Sequence, residues 1–449
     1  MPTNSSALSA NQPRVKPSAA EVNTADLETS VIIVGGGIAG LTCANYLKQA
    51  GIRALILEAS DGVGGRVRTD HVDGFRLDRG FQILLTAYPE AQRLLNYADL
   101  NLNHFRAGAM VRHQNNWLSL LNPFQEPLST FQALASSVGT VGDKLRIVEL
   151  IRRTQGLSLD ELFQQSPTTT LAFLRDFGFS DQIIERFFRP FFGGVFLEDG
   201  LTTSSNFFEF CFRLFFTGQA ALPANGIGAI ADQLASRLSP DQIRLHSAVA
   251  RLDGKTVYLT NGQSLIANTI VLAVDAAQAA VLLGRQAPAE HAFNHTTCTY
   301  FASSTPLPDV ARQKLLLLNA TRSTAVHNVA ILSDVAPNYA PAGQTLVSVS
   351  TQGLETVNAT ALTEQIKQEL TSWFGDDVNH WRHLHTYHIP HALPAYPPDR
   401  AGTDAIHELL KLSENLYQCG DQTAYPSLNA AMQTGRLVAD MIRKQEIHV

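Results

Sequence analysis

The sequence predicts an α/β fold built on a parallel β-sheet, and three observations lead to this prediction. The apolar run Val31–Val34 is rich in β-branched residues, which is typical of a buried parallel strand. Directly after it, Gly35, Gly37 and Gly40 have the spacing G-x-G-x-x-G. A second apolar run then ends at the acidic residue Glu58. Strand, glycines, helix, strand and acid in this order indicate a Rossmann-type domain that binds a dinucleotide.

Each part of this motif has a separate expected role. The first glycine allows a tight turn, the second lets backbone N–H groups approach a pyrophosphate, and the third allows the helix to pack closely on the strand. A helix predicted over residues 38–50 directs its positive end, with Ile38 and Ala39, at the phosphates. Glu58, 23 residues after the first glycine, is placed to accept hydrogen bonds from ribose hydroxyls. Ala59 follows it and completes this part of the predicted cofactor site.

The residues after this acid indicate which dinucleotide is bound. Gly64 and Gly65 allow close approach of the backbone, and the Arg66 guanidinium can pair bidentately with phosphate oxygens. This stretch resembles the extended signature of FAD enzymes in the superfamily of flavin amine oxidases, phytoene desaturases and protoporphyrinogen oxidases. The resemblance implies an oxidoreductase with FAD as its cofactor, and we expect the FAD to be held without a covalent bond.

The resemblance recurs near the C-terminus, where residues 416–436 are similar to the family's second flavin motif. It implies a strand that ends at Gly420 and Asp421, with the aspartate at the ribityl and phosphate groups. It also implies a helix that starts near Leu428, so that the N–H groups of Leu428 and Asn429 face the N1/O2 edge of the isoalloxazine. The positive end of this helix would stabilise the anionic reduced flavin.

The family further implies that the FAD-binding domain is assembled from separated pieces. Val249, in a segment with strand character, falls where the family contacts adenine through backbone groups. The first substrate segment looks helical, and the second alternates strand-like and helical stretches. We expect a disordered tail at 1–25, a glutathione-reductase-like FAD-binding domain at 26–90, 221–283 and 412–449, and an α+β substrate domain at 91–220 and 284–411.

Three further elements are predicted from local patterns alone. A hairpin over residues 256–265 turns at Asn261-Gly262, a pair that is typical of tight hairpin turns. An apolar strand follows over residues 269–274, and a helix is predicted over residues 362–374.

Composition excludes several classes of function. The chain has 449 residues, 45% of them hydrophobic and 16% charged, which is typical of a globular protein with a large core. A net charge of −6 does not provide the excess of positive charge that is typical of proteins that bind nucleic acid. The four cysteines lie far apart without a C-x-x-C pair, so they indicate neither a zinc site nor a disulfide framework and fit a reducing compartment.

The N-terminal residues bear on localisation. Residues 1–30 are rich in Ser, Ala, Asn and Pro, which predicts a disordered tail. The serines together with Arg14 and Lys16 also permit an organelle transit peptide, for example to a plastid. No stretch reaches the roughly 18 apolar residues of a membrane span. We therefore expect a cytoplasmic protein or one on a membrane surface, or an organelle protein if the tail is a targeting signal.

An unusual density of aromatic residues lies in the first substrate segment. Fourteen of the 23 phenylalanines fall between Phe173 and Phe216. They can form the core of a helical region, or they can line an apolar substrate tunnel, because adjacent phenylalanines on a helix point to different faces. An exposed part of the cluster could also dock on a membrane from which a lipophilic substrate arrives.

Four residues are candidates for catalysis. Gln82 follows an Asp-x-Gly segment that passes the isoalloxazine in related enzymes. His388 and Tyr396 belong to a stretch that resembles the one preceding the last FAD segment of protoporphyrinogen oxidases, and either could accept a proton. Tyr425 could replace a tyrosine of the amine oxidase cage. We expect no metal, because prolines break any helix that would align the histidines of residues 385–391.

Two departures from the amine oxidases bear on the substrate. Residues 291–303 contain no lysine, where many amine oxidases hold a water against the flavin, and Ser427 stands at the position of the cage tyrosine. Both departures favour dehydrogenation, desaturation or isomerisation of a bulky hydrophobic molecule. The alternatives are an amine oxidase that produces hydrogen peroxide and a non-enzymatic flavin-bound chaperone or redox sensor. Oxygen, a quinone or an electron-transfer protein could accept the electrons.

Overall fold

The computed structural model describes residues 30–122, 138–321, 324–353, 358–400 and 406–447. The predicted tail at 1–25 lies outside these ranges. The described strands are β1 (Val31–Val34), β2 (Ala54–Leu57), β3 (Thr69–Val72), β4 (Phe75–Asp78), β5 (Leu84–Leu85), β6 (Leu102–His104), β7 (Gly108–His113), β8 (Asn116–Leu121), β9 (Ala220–Pro223), β10 (Ile243–Arg244), β11 (Val249–Asp253), β12 (Thr256–Leu259), β13 (Ser264–Ile266), β14 (Thr269–Leu272), β15 (Phe293–Ser303), β16 (Leu316–Asn319), β17 (Asn328–Ile331), β18 (Thr345–Gln352), β19 (Arg382–Pro394) and β20 (Leu416–Gln418).

The described α-helices are α1 (Ile38–Gln49), α2 (Pro89–Leu94), α3 (Tyr97–Leu100), α4 (Val141–Gly156), α5 (Leu159–Gln164), α6 (Thr170–Asp176), α7 (Asp181–Ile183), α8 (Arg189–Phe196), α9 (Ser205–Thr217), α10 (Ala229–Ala235), α11 (Ala276–Leu282), α12 (Leu332–Val335), α13 (Ala359–Phe374), α14 (Ile406–Leu410) and α15 (Leu428–Ile447). A π-helical turn, Ile184–Phe188, joins α7 to α8. Within the described ranges, no helix combines the length and the apolarity needed to cross a bilayer.

A five-stranded parallel sheet forms the centre of the predicted dinucleotide-binding region. Its strand order is β10-β2-β1-β14-β20. All residues of β1, β2 and β14 are buried, which explains their unbroken apolar sequences. The predicted α/β fold with a parallel sheet is confirmed. Every one of the three sequence ranges proposed for FAD binding contributes a strand, whereas the domain boundaries themselves stay a prediction.

Two helices from opposite ends of the chain pack on each other beside this sheet. Helix α1 begins at Ile38, as predicted, and lies against α15. A Cβ at Gly435 would overlap the carbonyl oxygen of Ala39, so the glycine is what lets the two helices approach so closely. The C-terminal helix α15 begins at Leu428, as expected.

A seven-stranded sheet combines residues from both segments proposed for the substrate domain. Its order is β19-β15-β18-β17-β16-β7-β8. The expectation that residues 91–220 are helical is therefore wrong for residues 102–121, which form β6, β7 and β8. The hairpin between β7 and β8 turns at Gln114, whose φ is +55°. Because this turn lacks a glycine, no local pattern indicated a hairpin here.

The other local predictions are confirmed with small changes in their bounds. The hairpin at Asn261-Gly262 joins β12 to β13, and Gly262 has a φ of +88°. Strand β14 ends at residue 272, two residues earlier than predicted. Helix α13 begins three residues earlier, because the Asn358 side chain accepts a hydrogen bond from Ala361 N and caps it.

Most of the phenylalanine cluster belongs to the protein core. Phe188, Phe192 and Phe208 are buried and contact one another ring to ring, with centroids 4.7–6.2 Å apart. The buried members are Phe179, Phe188, Phe192, Phe196, Phe207, Phe208, Phe210 and Phe212, and the partly exposed ones are Phe173, Phe177, Phe187, Phe191, Phe215 and Phe216. The core explanation holds for the buried rings, and a tunnel lined by the others stays a prediction.

Candidate active site

The three motif glycines have different surroundings. Gly35 has a φ of +108°, and a Cβ on it would lie 2.6 Å from Ala273 O. At Gly37 a Cβ would meet no heavy atom within 4 Å. At Gly40 it would overlap the carbonyl oxygen of Gly35. The first glycine thus makes the turn, the third lets the helix pack, and the second leaves open space beside the backbone.

The start of α1 is suited to an anion. Gly37 is its N-cap and offers no side chain to accept the first N–H groups, and the first turn contains no acidic residue. Ile38 and Ala39 are buried, so the N–H groups of this turn lie in an environment of low polarity. The N–H groups of a first helical turn have no partner within the helix, and they favour a negatively charged ligand.

Glu58 lies next to this turn, immediately after β2. Its Oε2 accepts a hydrogen bond from Gly36 N at 2.7 Å, and its Oε1 accepts hydrogen bonds from Ser60 N at 2.9 Å and from Ser60 Oγ at 2.7 Å. Ala59, between Glu58 and Ser60 in the chain, is exposed. The sequence analysis missed Gly36 and Ser60. The only signals were a further glycine in the turn and a serine two residues after the acid.

A backbone hydrogen bond links the Gly64-Gly65 turn to the turn that follows β1. Gly64 N donates to Gly36 O at 2.8 Å. Gly64 has a φ of +108° and Gly65 a φ of +59°. The Arg66 side chain that follows donates from Nη2 to Asp421 Oδ1 at 2.6 Å. The predicted cofactor residues from the two ends of the chain therefore meet in an ion pair.

Asp421 is buried and begins a 3-10 turn over Asp421–Thr423, since β20 ends at Gln418 and not, as expected, at Gly420 and Asp421. Gly420 has a φ of +141°, and its N–H donates to Thr434 Oγ1 at 2.9 Å. Leu428 is the first residue of α15, and Ser427 Oγ accepts a hydrogen bond from Ala430 N at 3.0 Å. Ser427, at the position of the cage tyrosine in amine oxidases, therefore caps this helix.

Val249 is brought to the same edge as Glu58. It is buried as the first residue of β11 and belongs to a cluster of apolar residues from β1 and β2. Two residues earlier, Ser247 N donates to Glu58 O at 2.8 Å. The predicted adenine and ribose positions are thus neighbours in the structure.

A buried polar network fixes the start of α15. Asn429 Oδ1 accepts a hydrogen bond from Glu90 N at 3.0 Å, and Asn429 Nδ2 donates to Tyr425 Oη at 2.9 Å. The Glu90 carboxylate forms two hydrogen bonds with Arg436, at 2.9 and 2.8 Å. The sequence analysis missed Glu90 and Arg436, because the contact between α2 and α15 spans most of the chain and has no local signal.

Tyr396 and Tyr425 both pack against the ring of Phe207. Their ring centroids are 5.9 and 6.0 Å from that of Phe207, and Phe163 stacks on Tyr425 at 4.6 Å. Burial raises the pKa of Tyr396 to about 12 and that of Tyr425 further still. Both phenols are therefore protonated at neutral pH, where they act as ring surfaces and hydrogen-bonding groups rather than as bases.

The other two catalytic candidates, Gln82 and His388, lie in different surroundings. Gln82 Nε2 donates to Arg66 O at 2.9 Å and to Arg79 O at 3.1 Å, so this side chain is held beside the Gly64-Gly65 turn. His388 is exposed on β19, and its Nδ1 lies 3.2 Å from Thr297 Oγ1. In the part of the chain that the structure describes, no group of three or more His, Cys, Asp or Glu residues is placed to hold a metal ion.

Asp78 is a buried carboxylate behind this site. Oδ1 accepts hydrogen bonds from Thr69 Oγ1 at 2.6 Å and Ile227 N at 2.9 Å, and Oδ2 accepts one from Tyr339 Oη at 2.9 Å. Burial outweighs these bonds and raises the pKa of Asp78 from 3.8 to about 6. Between these values the folded state binds more protons than the unfolded state, so stability falls as the pH rises.

We expect this carboxyl to lower the free energy of unfolding by up to about 3 kcal/mol between about pH 4 and pH 7. In Asp78→Asn this contribution should disappear, because an amide does not titrate. Its oxygen can keep the two bonds that Oδ1 accepts, and its N–H can donate to Tyr339 Oη in place of the bond that Oδ2 accepts. Urea unfolding of both proteins across this range measures the difference between the two pH profiles. Parallel profiles would show that Asp78 titrates normally in the folded protein.

These features fit a flavin dinucleotide. An uncapped helix start, open space beside Gly37 and a fixed acid at the second strand are what a pyrophosphate and its ribose require. Residues 38–443 match the profile of the family described as flavin containing amine oxidoreductase. The chain belongs to this family. This is the group of flavin-containing oxidoreductases that the sequence predicted.

Individual relatives match only parts of the chain. Coproporphyrinogen III oxidase from Mycobacterium bovis is 30% identical over 179 residues, which is 38% of this chain and 38% of that protein. Phytoene desaturase from Fusarium fujikuroi is 43% identical over 60 residues, which is 13% of this chain and 10% of that protein. The matched part thus spans less than half the length of these curated relatives.

Solved structures show the same fold over nearly the whole chain. Cyclohexylamine oxidase from Brevibacterium oxydans has a TM-score of 0.70 at 16% identity, covering 93% of this chain and 99% of that chain. Reduced UDP-galactopyranose mutase has a TM-score of 0.67 at 15% identity, covering 93% of this chain and 96% of that chain. At such identities the likeness shows the fold and not the substrate.

Proposed function

We propose that this enzyme holds FAD without a covalent bond and dehydrogenates, desaturates or isomerises a bulky hydrophobic molecule. The observation that carries the proposal is a group of buried aromatic rings beside the start of α15, those of Tyr396, Tyr425 and Phe207, which we call the aromatic surface. When bound, FAD supplies the acceptor for a hydride. The aromatic surface orients an apolar substrate and keeps water away from it.

The proposed cofactor contacts follow from the geometry of the chain. The N–H groups of Gly37, Ile38 and Ala39 bind the pyrophosphate, and Glu58 binds the ribose hydroxyls of the adenosine. Arg66 and Asp421, paired with each other, are the proposed contacts of the phosphates and of the ribityl chain. The remaining predicted residues complete the cradle: Gly35, Gly40, Ala59, Gly64, Gly65, Val249, Gly420, Leu428 and Asn429.

Glu58→Ala should weaken FAD binding by about 1–3 kcal/mol, because charge-assisted hydrogen bonds to the ribose are lost. Glu58→Gln is the matched control, since its amide keeps one acceptor oxygen at the same place, and its loss should be smaller. Titration of the flavin-free protein with FAD, followed by fluorescence, measures both affinities. Equal FAD affinity in wild type and Glu58→Ala would contradict the proposed role.

An amine oxidase is the second candidate, and one observation favours it. Tyr396 and Tyr425 flank the same phenylalanine, and a pair of aromatic residues is what an amine cage needs. Strand β15, however, contains no lysine, and Ser427 caps α15 instead of lining a cage. The family assignment favours either enzyme over the non-enzymatic chaperone or redox sensor.

Reduction of the bound flavin separates the two candidate reactions. The FAD-loaded enzyme is mixed without oxygen with a porphyrinogen, a phytoene-like polyene or a panel of amines. We expect one of the apolar compounds to bleach the flavin and to lose two hydrogens, or to be isomerised without a mass change. Bleaching by amines alone, with peroxide released on adding oxygen, would contradict the proposal. Re-oxidation by oxygen, a quinone or an electron-transfer protein then identifies the acceptor.

A further inference from the structure

Helix α4 carries a stripe of exposed apolar side chains. Val141 is 75% exposed, Leu145 69% and Val148 49%. Their spacing of four and three residues places all of them on one face of the helix. We call Val141, Leu145 and Val148 the α4 stripe. Large apolar residues clustered in this way on a surface are typical of an interaction site.

The opposite face of α4 fixes the helix to the protein. Leu150 and Thr154 are fully buried. Asp143 accepts hydrogen bonds from the Thr140 and Ser180 side chains, both at 2.7 Å, and so holds the first turn. Arg153 Nε donates to Glu209 Oε1 of α9 at 2.6 Å. The stripe is therefore presented by a well-anchored helix and does not result from a frayed end.

The charges on α4 indicate what the stripe contacts. The helix contains four basic residues and two acidic ones, and the acid Asp143 is buried. Arg152 follows Val148 at the i+4 position and continues the stripe with an exposed positive charge. Glu149, at the i+4 position from Leu145, is also exposed, so α4 presents one exposed acid against its four basic residues. An anionic lipid surface complements both the apolar stripe and the charge.

We propose that α4 docks this protein on the surface of an anionic bilayer. The α4 stripe enters the headgroup boundary, and Arg152 pairs with lipid phosphate or carboxylate groups. The contact is interfacial, with the helix lying in the membrane plane. This assigns the membrane contact that the sequence analysis attached to the phenylalanine cluster to a different helix, because most of those rings are buried.

The position of α4 also links the membrane to the site. Helix α4 packs on α9, and Phe207 and Phe210 of α9 contact Tyr425 with centroids 6.0 and 5.0 Å away. An apolar substrate leaving the bilayer at α4 would thus be one helical layer from the aromatic surface. This second step rests on the proposed function, whereas docking itself does not.

Vesicle co-sedimentation tests the docking directly. The holoprotein is mixed with vesicles of phosphatidylcholine, with and without phosphatidylserine, and bound protein is measured after centrifugation. We expect binding to the mixed vesicles and a loss of about tenfold or more in Val141→Ser/Leu145→Ser/Val148→Ser. The matched control is Ile266→Ser/Val281→Ser, which removes two exposed apolar side chains elsewhere, 50% and 60% exposed, and should bind as the wild type does.

A charge variant and a sizing measurement complete the test. Arg152→Glu should weaken binding to the mixed vesicles and leave any residual binding to phosphatidylcholine unchanged. Thermal unfolding checks that each variant is folded. The proposal is overturned if the wild type binds neither kind of vesicle, or if the stripe variant binds as strongly as the wild type does. It is also overturned if the wild type is a dimer that the stripe variant converts to a monomer, since the stripe then contacts a second copy. No turnover is measured, so these results stand apart from the substrate experiments.

Discussion

A Gly37→Ala variant should fold as the wild type does and yet lose most of its affinity for FAD. The backbone at Gly37 has a φ of −72°, which any residue adopts, and an added Cβ meets no protein atom within 4 Å. The methyl group would instead occupy the space into which we place the pyrophosphate. An intruding group in a packed site costs up to about 3 kcal/mol, roughly a 150-fold loss of affinity. Calorimetric titration with FAD and thermal unfolding of the flavin-free protein measure the two properties separately.

Gly40→Ala is the matched control, because it should show the opposite behaviour. Its Cβ would overlap the carbonyl oxygen of Gly35, so the helix could no longer pack on the strand. We expect a lower melting temperature for this variant in the absence of flavin. If Gly37→Ala binds FAD as tightly as the wild type does, the pyrophosphate does not lie at the start of α1.

Arg436→Met should lower the free energy of unfolding by about 3 kcal/mol, because it leaves the buried Glu90 carboxylate with only a 3.8 Å contact to the largely exposed Arg93. The Glu90 side chain is 6% exposed and makes two hydrogen bonds to this arginine. The backbone N–H of Glu90 also donates a hydrogen bond to Asn429 at the start of α15. The variant should therefore also disturb the start of α15 and weaken flavin binding. Urea unfolding measures the stability, and FAD titration measures the second effect.

The matched control for this prediction lies on the same helix. Arg443 is 50% exposed and pairs with Asp440 at 3.4 Å, so Arg443→Met should change the stability by less than about 1 kcal/mol. Replacing both partners, in Glu90→Leu/Arg436→Met, should recover part of the loss because the buried carboxylate is then gone. A stable Arg436→Met protein would mean that water solvates Glu90 in the folded state.

The fold and the nucleotide half of the site were predictable because their signals are local. The turn after β1 needs glycines at fixed positions for steric reasons, and the acid ends the next strand, so both are visible in a short window of sequence. Residues 416–436 were identified by their resemblance to the family's second flavin motif, and the structure has the expected strand followed by a helix there. The seven-stranded sheet and the burial of the phenylalanines depend on which distant segments pair, and no short window contains that information.

The polar supports of the site could not be predicted for the same reason. Glu90 and Arg436 are ordinary surface-like residues in the sequence, and only the packing of α2 against α15 makes them partners. The Arg66 side chain was expected at a phosphate, and the structure shows its ion pair with Asp421, a contact that joins residues from opposite ends of the chain. The exposure of the α4 stripe likewise follows from which face of the helix the rest of the protein covers.

The flavin content of the purified protein after incubation with FAD tests most directly whether this chain binds FAD. We expect a yellow protein that carries equimolar FAD after gel filtration. Acid precipitation should release this flavin into the supernatant, where mass spectrometry identifies it as intact FAD. A protein that remains colourless would contradict the proposed FAD site. Flavin that stays in the pellet would contradict binding without a covalent bond.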